Sequence, residues 1–395
     1  MLDAFDQWGD IEAIENSDQP MKELVDLYVK FHDQAEDDEA LDEKAREWFK
    51  RLEEQDKQAL DILDKLTTWS LNEFDDIYDR LGVSFDTRHG ESAFAPMVPD
   101  VIADLEAKDM LKQSEGAKLV FFGDPDTDPG EHDLPPLMIE KSDGTSVYGA
   151  RDLATDKWRK EEYGSDVEII NEVGSEQSLY FCQLYETEKR LGYFSKSQRH
   201  HVAHGLFRFE DRKMSTREGN VVWLADVLDE VVERAEEFNP DVAEQVGIGA
   251  IKYNDLKRDP KKDIVFDLDE MLNLEGNSGP YIQYTRARAQ SVLDEAGVDP
   301  EGLLSKERVP ENQPEVARLL YRFPEVVKKA ADDLAPRHVA NYMYQVAKSF
   351  NTYYGNTKII ADDKTQTYRL ALTAATAQVL ENGLKLLGIE APKKM

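Results

Sequence analysis

The sequence predicts an α/β region followed by an all-α region, and three observations carry that expectation. Apolar residues recur with a helical period up to Gly82, and from Val83 short strand-length runs alternate with helices. From Trp223 the helical period returns and holds to Met395. The polar stretch KRDPKKD (257–263) and the acidic run after it separate the last two regimes. Charge divides the chain at nearly the same place: residues 276–395 carry 16 Lys/Arg and 14 Asp/Glu, a net of +2, while the other 275 carry −35.

In the first 85 residues, MKELVDLYVKFHDQA puts Leu24, Leu27, Tyr28 and Phe31 on one helical stripe, and DKQALDILDKLTTWSLNEFDDIYDRLGV continues the pattern. Between them, EDDEALDEKAREWFKRLEEQD reads as a helix with a solvated acidic face. The runs KLVFFGD, LPPLMIEK, VEIINEV and HVAHGLFRF read as strands, and MVPDVIADLEAKDM and EQSLYFCQLYETEKRLG as helices between them. That alternation predicts an α/β layer with a mostly parallel sheet. LPPLMIEKSDGTSVYGA reads as a hairpin turning at Asp143-Gly144. In the tail, PEVARLLYRFPEVVKKAADDL, HVANYMYQVAKSFNTYY and RLALTAATAQVLENGLKLLGI are amphipathic and joined by short links, the pattern of a helical bundle. The expected domains are 1–85, 86–265 and 266–395.

Composition narrows the class. Hydrophobic residues make up 41% of the chain, and no run approaches the ~20 apolar residues a membrane span needs. The acidic start MLDAFDQWGD has no basic n-region, so it does not read as a secretory signal. Cys182 is the single cysteine, which excludes an intramolecular disulfide and fits a reducing compartment. Together these features predict the cytoplasm. A net charge of −33 argues against polyanion binding by the whole surface and resembles the acidic surface of salt-adapted proteins, with the tail spared.

The most informative segment is Lys213-Met214-Ser215-Thr216-Arg217-Glu218-Gly219-Asn220, between a strand and a helix. Lys213 and Arg217 can neutralise charge on a phosphate, Ser215 and Thr216 can donate hydrogen bonds, and Gly219 permits unusual backbone conformations. His200, His201 and His204 form a cluster, but on a strand an i, i+4 pair does not share a face as it would on a helix, and no metal is expected there. Cys182, in a helical pattern with apolar neighbours, reads as core. Tyr281, Tyr284 and Arg288 fall on one helical stripe, and Tyr353 and Tyr354 end another helix. Aromatic and Arg planes of this kind suit stacking on unpaired RNA bases.

KMSTREGN closely resembles the second signature loop of class I aminoacyl-tRNA synthetases in its arginyl form. GESAFAP (90–96), SVYGARDLATDKWR (146–159), GSEQSLYF (174–181), HVAHGLF (201–207), VGIGAIKYNDL (246–256), EGNSGPYIQYTRAR (275–288) and the terminal NGLKLLGI…M resemble further arginyl blocks, in order and over essentially the whole chain. The resemblance implies a Rossmann-type catalytic domain with a helical insertion, then a helical-bundle anticodon-binding domain. It implies an arginine–tRNA ligase using arginine, tRNA(Arg) and ATP with Mg²⁺. Lys213, Ser215, Thr216 and Arg217 would act on the phosphates, and His204, Gly205, Leu206, Lys213, Met214 and Ser215 would bind ATP. Glu91, Tyr148, Asp152 and Gln177 would hold arginine, the two carboxylates facing a guanidinium suited to bidentate pairing. Tyr281, Tyr284, Arg288, Tyr354 and Met395 would meet tRNA.

The family also carries an extra N-terminal domain and a first Rossmann half with an HxGH sequence, and no His-x-Gly-His occurs in these 395 residues. The chain is therefore expected to be the C-terminal portion of such a synthetase. Three readings stay open: a ligase needing the missing half, a non-catalytic tRNA-binding module or partner subunit of a split synthetase, and a truncated gene.

Overall fold

The computed structural model describes residues 1–17, 19–36, 38–123, 134–208, 222–299, 303 and 311–395. They fall into two compact units, one of residues 1–84, 208–259 and 265–395, the other of 85–207 and 260–264.

The first unit opens with five helices: α1 (Leu2–Trp8), α2 (Ile11–Glu15), α3 (Pro20–Ala35), α4 (Glu39–Glu53) and α5 (Lys57–Arg80). Asp10, Asp38 and Asp56 start three of them by accepting hydrogen bonds from first-turn amides, the ordinary N-cap device. Their apolar stripes meet at Phe5, Ile14, Leu24 and Leu66, with Phe31 and Leu41 alongside. The acidic α4 still buries one side: Leu41 and Trp48 are inside, and Trp48 Nε1 donates to the buried Asp3 at 3.2 Å.

The rest of this unit is helical too: α9 (Leu224–Glu236), α10 (Ala243–Leu256), α11 (Leu268–Met271), α12 (Gly279–Ala296), α13 (Glu315–Tyr321), α14 (Phe323–Asp332), α15 (Arg337–Asn356) and α16 (Gln366–Leu386). Tyr253, Ile282, Leu293, Met343, Phe350 and Leu380 form its largest core. Ser278 caps α12, and Gly279 brings α12 so close to α10 that an added Cβ would lie 2.5 Å from the Gly249 carbonyl oxygen. Lys252 on α10 ties two helix ends together, donating to the carbonyls of Leu81, just after α5, and Gly388, just after α16. Arg80 adds ion pairs to Asp229 and Glu244 at 2.7 and 3.0 Å.

In the second unit, β1 (Leu111–Ser114), β2 (Ala117–Val120) and β3 (Leu137–Glu140) form an antiparallel sheet, and β4 (Ile169–Gly174) pairs in parallel with β5 (Arg199–His204). The expectation of a mostly parallel sheet is thus corrected among the described residues. The reason is local: Glu115 and Gly116 both have positive φ (51° and 85°), a two-residue turn that can only return the chain antiparallel. The turn expected at Asp143-Gly144 is present, with Gly144 at φ 84°, but its return arm is a single bridge, Glu140 to Ser146. The chain goes straight into α7 (Tyr148–Tyr163). α6 (Val98–Ala107), α7 and α8 (Ser178–Leu191) cover the strands through Val101, Leu105, Leu153, Phe181 and Leu184. Two-residue strands β6 (Phe207–Arg208) and β7 (Ile264–Val265) also pair.

Cys182 is exposed, which corrects its reading as core. On α8 the inward residues are Phe181, Gln183, Leu184, Thr187, Glu188 and Leu191, and Cys182 falls on the opposite face.

Candidate active site and tRNA surface

The arginine candidates gather around α7. Tyr148 opens this helix and Asp152 follows one turn later, so the two side chains share a face. A short 3₁₀ helix, Glu91–Met97, brings Glu91 to the same place. Glu91 and Asp152 line one cavity of about 440 Å³, walled also by His89, Phe94, Trp158 and Arg159. His89, Phe94 and Trp158 pack ring against ring, with centroids 5.0 to 5.9 Å apart.

The two carboxylates are not equivalent. Glu91 accepts a hydrogen bond from Arg151 Nη1 at 2.8 Å, and its side chain is half exposed. Asp152 is partly buried and accepts from the hydroxyl of Tyr180 on α8. Burial raises the Asp152 carboxyl above the ordinary range and the Tyr180 hydrogen bond pulls it back. The charges of Asp156 and Glu91 raise it further, and Arg159 opposes them. Tyr180 stacks edge-on against Tyr148 at 4.8 Å. The Tyr148 ring is 60% exposed, open to a ligand.

Below this layer lies a buried ionic cluster. Arg199 on β5 pairs with Asp156 through two hydrogen bonds of 2.8 and 3.2 Å, and its Nε lies 3.0 Å from Glu188. Burial, with the charge of Asp156, drives the Glu188 carboxyl well above its usual range.

The parallel pair supplies the second set. Gly174 and His204 are register partners at the carboxyl ends of β4 and β5, the end at which open α/β sheets bind ligands. Gln177 follows β4 at the start of α8, exposed. His204 hydrogen-bonds the Gly205 carbonyl at 2.8 Å and lies 3.6 Å from Glu172. The Gly205 amide donates to Pro260 at 2.6 Å, and an added Cβ there would meet the Lys262 backbone at 2.6 Å. The Leu206 amide donates to Asp263 at 2.9 Å. His200 and His201 go elsewhere: His200 lies 3.6 Å from Glu168, and His201 bonds the Val173 carbonyl at 3.0 Å. Lys213, Met214, Ser215, Thr216 and Arg217 lie outside the described residues.

In the helical tail, the guanidinium of Arg288 lies 4.7 Å from the Tyr284 ring and 5.3 Å from Tyr354 on α15, and it donates to Asn351 at 2.6 Å. Both tyrosines keep more than a third of their surface exposed, so a cation and two rings form an open platform. Tyr281 is half-buried against Tyr344, and Met395 packs on the core of α9 and α10.

The sequence reading missed Tyr180, His89 and Trp158. Tyr180 stood inside the GSEQSLYF block, but no spacing rule links residue 180 to residue 152. Only the packing of α8 on α7 does so.

Residues 6–268 match the family described as "tRNA synthetases class I (R), catalytic domain", and residues 282–395 match the "DALR anticodon binding domain". The fold and site therefore define a class I aminoacyl-tRNA synthetase catalytic domain followed by a helical anticodon-binding domain. Arginine–tRNA ligase 1 of Bacillus cereus is 40% identical over 407 residues, spanning all of this chain and 70% of that protein. Arginine–tRNA ligase of Halothermothrix orenii matches at 40% with the same coverage. Among solved structures, Thermus thermophilus arginyl-tRNA synthetase superposes with a TM-score of 0.73 at 25% identity, over all of this chain and 73% of that one. The Plasmodium falciparum enzyme shares the fold, with a TM-score of 0.76 at 23% identity over 90% of this chain and 62% of its own. The chain belongs to the arginyl-tRNA synthetase family.

Proposed function

We propose that this chain ligates arginine to tRNA(Arg) at the expense of ATP. The arginine carboxylate attacks the α-phosphate, the bond to pyrophosphate breaks, and arginyl-adenylate forms. A terminal tRNA hydroxyl then takes the arginyl group and AMP leaves. Catalysis rests on positioning and charge stabilisation, with no covalent enzyme intermediate. Asp152 and Glu91 receive the guanidinium, Tyr148 lies along the substrate, and Gln177 reaches its amino end. His204, Gly205 and Leu206 lie beside the adenine, and Lys213, Ser215, Thr216 and Arg217 act on the phosphates. Among the described residues no group of three or more His, Cys, Asp or Glu could hold a metal ion; Mg²⁺ would come with the nucleotide and be held mainly by its phosphates. The domains follow as 1–85, 86–265 and 266–395, and the setting as the cytoplasm.

With no His-x-Gly-His among these residues, the ATP side is completed by residues outside them, in a longer chain or a separate one. The observation that carries the reading is the cavity lined by Asp152 and Glu91, whose carboxylates and aromatic wall suit a guanidinium while the Arg159 on its wall is paired with Asp156. Calorimetric titration with L-arginine and L-lysine tests it. Arginine should bind at least about tenfold tighter than lysine, and Asp152→Asn should abolish that preference, because a planar guanidinium can reach both carboxylates and lie on the aromatic wall while a lysine ammonium is a point charge. Equal binding of both amino acids by the parent would refute the arginine pocket.

A further inference from the structure

We propose that Tyr180 is a positioning residue that keeps Asp152 ionised and aimed into the cavity it shares with Glu91. The inference rests on the reading of Asp152 as the guanidinium carboxylate. Left to itself, Asp152 is badly placed for that task. It is partly buried, and Asp156 and Glu91 face it as like charges, and each of these pushes the carboxyl toward its neutral acid form. A neutral acid would offer a guanidinium little of the charge it requires. Arg159, two turns further along α7, offsets this only in part, being committed to Asp156 at 2.7 Å. The group bonded directly to Asp152 is the Tyr180 hydroxyl, on Oδ2.

That hydroxyl is a dependable donor. Burial and the neighbouring Asp152 charge push the Tyr180 phenol far above its ordinary range, so it stays protonated wherever the protein is folded. Its ring is held by the edge of Tyr148 at 4.8 Å and of Phe181 at 5.4 Å, which fixes the direction of the hydroxyl. With Oδ2 fixed in this way, Oδ1 is left for the incoming guanidinium. The geometry divides the labour along α7 and α8: Tyr148 is open to the ligand, while Tyr180 acts through Asp152.

The test is Tyr180→Phe in the 395-residue protein, with the Asp carboxyl carbons ¹³C-labelled and the Asp152 signal identified by its loss in Asp152→Asn. Tyr193→Phe is the comparator, because it removes another partly buried phenol of the same unit, bonded to Asp104 at 2.6 Å and not to Asp152. In Tyr180→Phe the Asp152 carboxyl should titrate at clearly higher pH than in the parent. Arginine affinity should fall about tenfold at pH 6 and recover in part by pH 8.5, the scale expected for a lost hydrogen bond to a charged group. Tyr193→Phe should follow the parent in both measurements. An unchanged Asp152 titration in Tyr180→Phe overturns the proposal, as does an equal shift in Tyr193→Phe. If the titration shifts but Asp152→Asn binds arginine like the parent, the arginine pocket fails while the control of Asp152 by Tyr180 stands.

Discussion

Arg151 donates to Glu91 at 2.8 Å, so one of the two carboxylates in the candidate arginine pocket already holds a guanidinium supplied by the protein itself. Asp152, the next residue along α7, carries no such partner among the described residues, and Tyr180 occupies only its Oδ2. The two acidic groups are therefore expected to contribute unequally. Glu91→Gln should weaken arginine binding by about tenfold or less, since its charge is shared and its side chain half exposed. Asp152→Asn should cost roughly 3–5 kcal/mol, because it leaves a desolvated guanidinium half-paired. Calorimetry with L-arginine measures both, and equal losses would mean that Arg151 releases Glu91 when substrate enters.

The candidate tRNA surface yields a second ordering. Tyr284 and Tyr354 flank Arg288 with exposed rings, whereas Tyr281 is half-buried and packs on the tail core. Tyr284→Ala and Tyr354→Ala should each cost about 1–3 kcal/mol in tRNA(Arg) affinity while leaving the melting temperature nearly unchanged. Tyr281→Ala should lower the melting temperature as well. Filter binding beside thermal melts separates the two effects, and parental affinity in both flanking variants would remove the platform from the interface.

How much of this was legible from sequence depends on the range of the interaction. Helices were legible because the stripe through Leu24, Leu27 and Phe31 repeats at short range, as does the one through Tyr281, Tyr284 and Arg288. The β1–β2 hairpin was missed because its turn, Glu115-Gly116, sits between two strands of four residues whose faces do not alternate cleanly. Tyr148 and Asp152 could be paired by helical spacing alone. Tyr180 could not, since its bond to Asp152 spans 28 residues and exists only once α7 and α8 pack. Cys182 was misjudged because its apolar neighbours in sequence point to the other side of the helix.

The buried cluster beneath the pocket should make stability fall as pH rises. Glu188 is raised in the folded protein, so its contribution is fully present below the ordinary glutamate value of about 4.3 and is lost as pH climbs through the folded value. Glu188→Gln removes the charge but keeps a carbonyl facing Arg199 Nε. The variant should therefore melt progressively higher than the parent as pH rises from 5 to 8, by roughly 2–4 °C for each kcal/mol relieved. Parallel melting curves across that range would show that Glu188 does not titrate there.

Asp363 behaves in the opposite sense. Arg369, with Thr365, holds its carboxyl down at about 2. Its stabilising contribution is present above the ordinary aspartate value of about 3.9 and fades as pH falls toward 2. The melting difference between parent and Asp363→Asn should be constant above about pH 5 and shrink below it. A difference undiminished at pH 2 would assign the effect to hydrogen bonding by Thr365 rather than to charge.

Salt should act on tRNA binding through two opposed terms. Phosphate contacts release counterions, so affinity falls as salt rises. The chain's net charge of −33 repels tRNA at long range, and that repulsion is screened once the Debye length shrinks to ~10 Å near 0.1 M. The tail is nearly neutral. Residues 240–395 carry 21 Lys/Arg and 23 Asp/Glu, a net of −2, and they include Tyr253 of α10, which belongs to the tail's core. This segment alone should therefore bind tRNA(Arg) more tightly than the whole chain at 20 mM KCl, and the gap should narrow steadily toward 300 mM. The whole chain should show the shallower fall of log affinity with log salt, because relief of repulsion offsets part of the counterion term. A gap that stays constant across the titration would place the difference in direct contacts made by residues 1–239, and the acidic surface would then have no part in tRNA binding.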